Sequence, residues 1–194
     1  MTSETEVRPR ALRLPPETRR RQIVQEASRL IAISGFNAVS LADIAEAVGI
    51  RGPSVLRYFP TMNDLLAAVL VKRDEDAYDG NAFPTDLGKP PAVRAYLQRV
   101  VEHNVESKEI VRLFVVLTAE ALDPEHPAHE YFFERNRLTL IALEEMLGWL
   151  PHPSLAAREL LAFWQGLELQ WVTDPTTDFL AVWNAYCDRL FEDR

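Results

Sequence analysis

The sequence of 194 residues predicts an all-α fold: a three-helix N-terminal head containing a helix-turn-helix, followed by a helical C-terminal body, about nine helices in all. Apolar residues recur at three- and four-residue spacing, as they do on one face of a helix. Helix-breaking residues, Gly49, Pro60, Pro124, Pro127, Pro151, Pro153 and Pro175, separate those segments. No segment combines strand alternation with hairpin turns.

Residues 1–15 are polar and contain proline, and are expected to form a mobile arm. Arg8, Arg10 and Arg13 there read either as a basic arm reaching phosphates or as a disordered tail. Pro15-Pro16-Glu17 opens the first long helix, with Ile23, Ala27, Leu30, Ile31 and Ser34 as its stripe. Arg19, Arg20 and Arg21 lie in its first turns, against the helix dipole, and read equally as cations that a nearby polyanion relieves or as a solvated face. Ser40 is a good N-cap, and Asp43 three residues on makes a capping box with the shorter acid. Ile44, Ala45 and Val48 face inward, and Gly49 stops the helix in a left-handed conformation.

Ile50 plugs the turn, and Gly52-Pro53-Ser54 opens a second helix over 52–59, with proline in a first turn that needs no N–H from it. Val55 and Phe59 face inward, leaving Arg51, Ser54, Arg57 and Tyr58 outside. Thr61 caps a helix spanning 62–78, which joins the head (16–61) to the body (62–194). The Gly- and Pro-rich stretch 79–91 is the expected boundary loop.

These residues, in the pattern GF-x-x-x-S-x-x-x-I-A-x-x-x-G-I-x-x-x-S-x-x-x-Y-F-x-x-x-x-D-L-L preceded by a helix from Thr18, resemble the DNA-binding domain of the TetR family of transcriptional regulators. The resemblance implies a homodimer that binds a double-stranded, pseudo-palindromic operator. It also implies an effector-responsive body, with 62–78 as the connector that transmits ligand binding, and repression as the expected direction of regulation. The implied DNA-binding residues are Ser40, Arg51, Gly52, Pro53, Ser54, Arg57, Tyr58 and Thr61, with Arg57 or Arg51 reading guanine edges and Ser54 and Tyr58 on phosphates or thymine methyls. Two positions depart from the family pattern. Leu56 stands where a tyrosine is usual, and Met62 where many relatives have a lysine. They support the alternative of a helical small-molecule-binding or adaptor protein whose head no longer binds DNA.

Charge is distributed unevenly. Residues 1–59 carry nine Arg and no Lys against six Asp or Glu, whereas residues 60–194 carry 12 basic against 23 acidic residues. That asymmetry suits a DNA-facing head on an acidic body. Cys187 is the single cysteine, so an internal disulfide and a Cys-based zinc site are excluded, and a reducing cytoplasm is the expected compartment. Neither a secretory leader nor a membrane-spanning run is expected. His126 and His129 are three apart with Pro127 between them, which suits capping or a surface role and no metal site. No phosphate loop or G-x-S-x-G is present, so no enzyme activity and no cofactor are expected.

Five body helices are predicted, over 92–107, 109–122, 126–150, 154–173 and 176–192. Polar residues on their apolar faces nominate a pocket, since buried polar groups need partners. Tyr96, His103, Asn104, Phe114, Thr118, Tyr131, Asn136 and Trp164 are its candidates, for an unidentified apolar or aromatic effector. The last two helices are apolar on more than one side, as helices are when they pack on their own body and on a second copy. Trp171, Phe179, Trp183, Tyr186 and Leu190 are the dimer-interface candidates.

Overall fold

The computed structural model describes residues 14–78 and 89–191, with only the backbone of 73–78. Arg8, Arg10 and Arg13 and most of the expected boundary loop lie outside the described residues. Among those described, every regular element is a helix: α1 (Pro16–Ser34), α2 (Leu41–Val48), α3 (Gly52–Leu56), α4 (Met62–Tyr78), α5 (Pro90–Glu106), α6 (Lys108–Glu120), α7 (His129–Met146), α8 (Pro153–Thr173) and α9 (Phe179–Phe191).

The head packs α1 against α2 and α4, with α3 seated on α2. Ile23, Val24, Ala27, Ile31 and Ala32 form the buried stripe of α1. Ser34, expected on that stripe, is exposed, and Ala32 takes the inward position. The chain leaves α1 through Gly35 at φ 84°, ψ 159°, a region open essentially to glycine alone.

The core of the head does not stop at the head. Leu113, Phe114, Leu117 and Ala121, from α6 and the residue after it, belong to the same buried cluster as Ile23, Ile44, Val55 and Phe59. Helix α1 in fact makes its most extensive packing with α6. A second cluster fills the body, in which Val93, Leu97 and Val101 of α5 meet Leu160, Leu167, Trp183 and Cys187 of α8 and α9. The Cys187 thiol is pushed up to about 11 by this burial.

Several helix ends differ from the sequence expectation, each for a local reason. Helix α3 ends at Leu56, because the Tyr58 N–H turns back to the Val55 carbonyl at 2.9 Å, tightening the last turn. Helix α7 begins at His129 and not His126. The residues before it form successive tight turns, with His126 N–H on the Asp123 carbonyl at 3.0 Å and His129 N–H on the His126 carbonyl at 2.9 Å. Helix α9 begins at Phe179 because the Asp174 carboxylate accepts both the N–H (3.0 Å) and the hydroxyl (2.7 Å) of Thr176, holding that residue in a turn. Those bonds also hold the Asp174 carboxyl below the usual carboxylate range.

Candidate functional site

Helix α2 starts where the sequence places it. Ser40 Oγ accepts the Asp43 N–H at 3.3 Å, and Asp43 Oδ2 accepts the Ser40 N–H at 2.8 Å, so two orphan donors are satisfied reciprocally. The Ser40 hydroxyl also donates to Asp43 Oδ2, and these bonds hold the Asp43 carboxyl below its ordinary value. Helix α2 ends at Gly49, left-handed at φ 70°, and the Ile50 N–H closes on the Ala45 carbonyl at 2.9 Å. Arg51 then caps α3 in an extended conformation, with Gly52 and Pro53 in its first turn.

The result is a rigid hairpin with a sealed inside. Val55 is 0 % and Phe59 2 % exposed, so the outward face is fixed by packing beneath it. That face carries Arg51, Pro53 and Arg57 exposed, with Ser54 half-buried. Tyr58 is half-buried against the head core, and Leu56 stands 46 % exposed among the polar residues. Arg20 of α1 lies over the Phe59 ring at 4.9 Å, while Arg19 is bonded to Gln22. Arg21 is left exposed beside them.

Thr61 sits at the start of α4 in a second box of the same kind. Its Oγ1 accepts the Asp64 N–H at 3.1 Å, and its N–H donates to Asp64 Oδ2 at 3.0 Å. The Thr61 N–H is thus committed within the chain, and the hydroxyl, also on Asp64 Oδ2 at 2.8 Å, is the exposed group.

Two polar ties join α6 to the end of α1. Arg112 Nε donates to the Ala32 carbonyl at 2.9 Å, and Glu120 Oε2 accepts the Phe36 N–H at 2.9 Å. Sequence reasoning missed both, because the partners are 80 and 84 residues apart and neither motif has a local pattern. His126 packs edge-on to Phe36 with centroids 5.3 Å apart, and its Nδ1 accepts the Ala128 N–H at 3.2 Å. His129 Nδ1 lies 2.8 Å from the Ala121 carbonyl oxygen, so both histidines serve the turn before α7.

A cavity of about 940 Å³ opens between α5, α6, α7 and α8. Tyr96, His103, Asn104, Phe114, Thr118, Tyr131 and Trp164 all line it, as the sequence predicts, whereas Asn136 is exposed and does not. Asn136 fails because α7 turns that position to solvent, beside the exposed Arg137. Among the lining residues not predicted is Glu168, whose Oε1 accepts Trp164 Nε1–H at 2.9 Å and Asn104 Nδ2–H at 3.3 Å. Its spacing of four from Trp164 on one helix is the signal that was present.

The dimer candidates separate by depth. Trp171, Phe179 and Trp183 are enclosed by this chain's own core, and Trp183 Nε1 donates to Gln98 Oε1 at 3.0 Å. They underlie the face of α8 and α9 and do not form its surface, because the wide stripe is consumed by packing within the body. Tyr186, stacked on Phe163 at 3.9 Å, and Leu190 are half-buried. Leu155 and Val182 are exposed on the same two helices. Among the described residues no group of three metal-ligating side chains occurs, and no helix is long and apolar enough to cross a membrane.

Comparison with known proteins gives one consistent result. Residues 23–69 match the family described as bacterial regulatory proteins, tetR family. The chain is 26% identical over 166 residues to the HTH-type transcriptional regulator PksA of Bacillus subtilis (strain 168), covering 82% of this chain and 81% of that protein. A TetR-family transcriptional regulator from Agrobacterium tumefaciens superposes with a TM-score of 0.68 at 22% identity, over 92% of this chain and 98% of that one. AibR, solved in complex with isovaleryl coenzyme A and operator DNA, superposes at 0.67 with 19% identity, over 89% of this chain and 98% of that one.

Proposed function

We propose, from the premise that this chain belongs to the TetR family of DNA-binding transcriptional regulators, that it acts as a homodimeric, effector-responsive repressor in the cytoplasm. The observation that supports this most directly is the hairpin of α2 and α3, which presents Arg51 and Arg57 outward from a closed apolar base. A short helix with basic residues at both ends suits the DNA major groove. Arg57 or Arg51 reads guanine edges in this proposal, Ser54 and Tyr58 contact phosphates or thymine methyls, and the Thr61 hydroxyl meets the backbone. Ser40, Gly52 and Pro53 set the hairpin's approach. Two heads related by a dyad would read half-sites about 34 Å apart or a multiple of that.

The body divides from the head near residue 62, with α4 as connector, and its cavity is the proposed effector site. AibR's capture with both an acyl coenzyme A and operator DNA supports two sites on this fold. Helix α6 supplies a physical route between them: Phe114 and Thr118 line the cavity, while Arg112 and Glu120 hold the end of α1. Dimerisation is assigned to the outer face of α8 and α9, with Tyr186 and Leu190 at its edge and Trp171, Phe179 and Trp183 as the support beneath.

Selection of genomic DNA fragments by the purified protein tests the reading. Enrichment of a shared two-fold symmetric sequence is the expected result. Retention of no common sequence would favour a small-molecule-binding or adaptor protein, for which the exposed Leu56 on the reading face is the supporting observation.

A further inference from the structure

Resting on the reading of the α2 and α3 hairpin as the DNA-facing surface, the geometry points to Leu56 as a base-reading residue that selects a thymine in each half-site through its C5-methyl group. Among the described residues between Ser40 and Thr61, Leu56 is the one large apolar side chain left exposed, at 46 %. Isolated exposed leucines are ordinary on a protein surface, so the placement of this one carries the weight. It stands directly before Arg57, and both side chains face outward while Val55 and Phe59 are sealed beneath them.

Helix α3 and its cap fix the direction of each side chain. Gly52–Leu56 is helical and Arg57 keeps right-handed helical angles at φ −71°, ψ −24°, so successive side chains are turned by about 100°. With Val55 and Phe59 directed into the core, Arg57 lies opposite them, and Leu56 lies on one flank of it, one turn along from the exposed Pro53. Ser54, half-buried, takes the other flank. The face therefore has an apolar side made by Pro53 and Leu56 and a polar side at Ser54, with Arg57 between them. Arg51 and Arg57, exposed at the two ends of the helix, draw that face toward a polyanion.

In the major groove thymine presents a methyl group beside its O4 acceptor, adenine and cytosine present amino donors, and guanine presents two acceptors. The isobutyl group of leucine neither donates nor accepts. Against cytosine, adenine or guanine it would take a polar edge out of water without replacing the lost hydrogen bond, whereas against thymine it covers an apolar methyl. Tyr58 suits that contact less, because its ring packs half-buried against the head core, and Ser54 offers a hydroxyl. Leu56 takes the thymine methyl, and Ser54 and Tyr58 are left to phosphates. Because Leu56 and Arg57 are adjacent on the same face, the thymine falls beside the base pair that Arg57 meets.

The operator obtained by fragment selection is rebuilt as duplexes in which each thymine of a half-site is replaced in turn, in both half-sites together, by deoxyuridine, which lacks only the C5-methyl group. Binding of the full-length protein to each duplex is measured by fluorescence anisotropy at fixed salt. At one thymine position, removal of the methyl is expected to weaken the wild type by about fourfold for each half-site, the value of one buried carbon. Leu56→Ala, a truncation at the surface, should still bind the operator and should not distinguish thymine from deoxyuridine at that position. A wild type indifferent to every methyl, or a half-site without thymine, overturns the proposal. So does a methyl dependence that Leu56→Ala retains, or complete loss of operator binding by that variant. A protein that selects no shared sequence overturns the DNA reading as well, a failure distinct from a specific operator that is indifferent to its methyl groups.

Discussion

The core of the head, completed by α6, is closely filled, whereas the body keeps a large part of its interior open. Ile23, Ala27, Ile31, Ile44, Val55 and Leu65 are each 0 % exposed, and Phe59 is 2 % exposed. Four helices of the body instead surround about 940 Å³, although its far side is as tightly filled around Leu160 and Trp183 as the head is. The difference teaches where rigidity is placed. A reading surface has to keep one shape, so the head has sealed packing and two capping boxes. The body wall, proposed above as the effector site, carries aromatic and polar side chains facing an open volume.

The sharpest test of that contrast is a matched pair of core substitutions. Phe59→Ala in the head should cost about 3–5 kcal/mol of stability. Ala142→Phe on the cavity wall should change stability by less than about 1 kcal/mol, because the added ring enters open space and not a packed core. Thermal unfolding of the two variants checks both, and similar losses in both would break the comparison.

Gly35→Ala addresses the junction of the two regions. The backbone there is at φ 84°, and a Cβ would meet Glu120 Oε1 at 2.5 Å, so both strain and displacement of that carboxylate are imposed. A loss of about 1–3 kcal/mol is expected in the same unfolding experiment. For the reading surface, Arg57→Ala should weaken operator binding by about 1–3 kcal/mol and relax the preference at one base position, with little change in melting temperature. An unaltered base preference would remove Arg57 from the reading role.

The smallest effect concerns the cap of α2. Ser40→Ala should cost about 1 kcal/mol through the lost hydroxyl acceptor. The carboxyl of Asp43 is lowered in the folded state by its bonds to Ser40, so its contribution is complete above the unfolded value near 3.8 and is lost as pH falls through the lower folded value. Denaturant unfolding of wild type and Ser40→Ala should therefore differ steadily at neutral pH, and the gap should narrow as pH falls below about 3.8 by the part carried by the hydroxyl's bond to the Asp43 carboxylate. A gap that widens with acid would contradict this assignment.

Much of this architecture was legible in the sequence because it is local. The Ser40 and Asp43 box, the stop at Gly49 and the inward pair Val55 and Phe59 each depend on residues within a few positions of one another. The pocket wall was also largely legible, since polar side chains on apolar helical faces signal a cavity, and only Asn136 among its candidates points elsewhere. What was hidden depends on distant pairing. The width of the α9 stripe is real, but Trp183 spends it on Gln98 and Phe163 inside the same body, which no periodicity can distinguish from a second copy. Helix α6 read as an ordinary body helix, yet Leu113 and Leu117 complete the core of the head.

That last arrangement limits how this protein can be re-engineered. A chimera that transplants residues 16–61 onto an unrelated sensor would strip the Phe36 N–H and the Ala32 carbonyl of their partners and leave Ile31 and Phe36 without the apolar cover of α6. The transferable cassette is discontinuous: the first four helices together with the stretch from Lys108 to Ala121. Exchanging the exposed residues that flank α3, Arg51 and Arg57, is therefore a better way to alter the proposed reading face than cutting and joining modules.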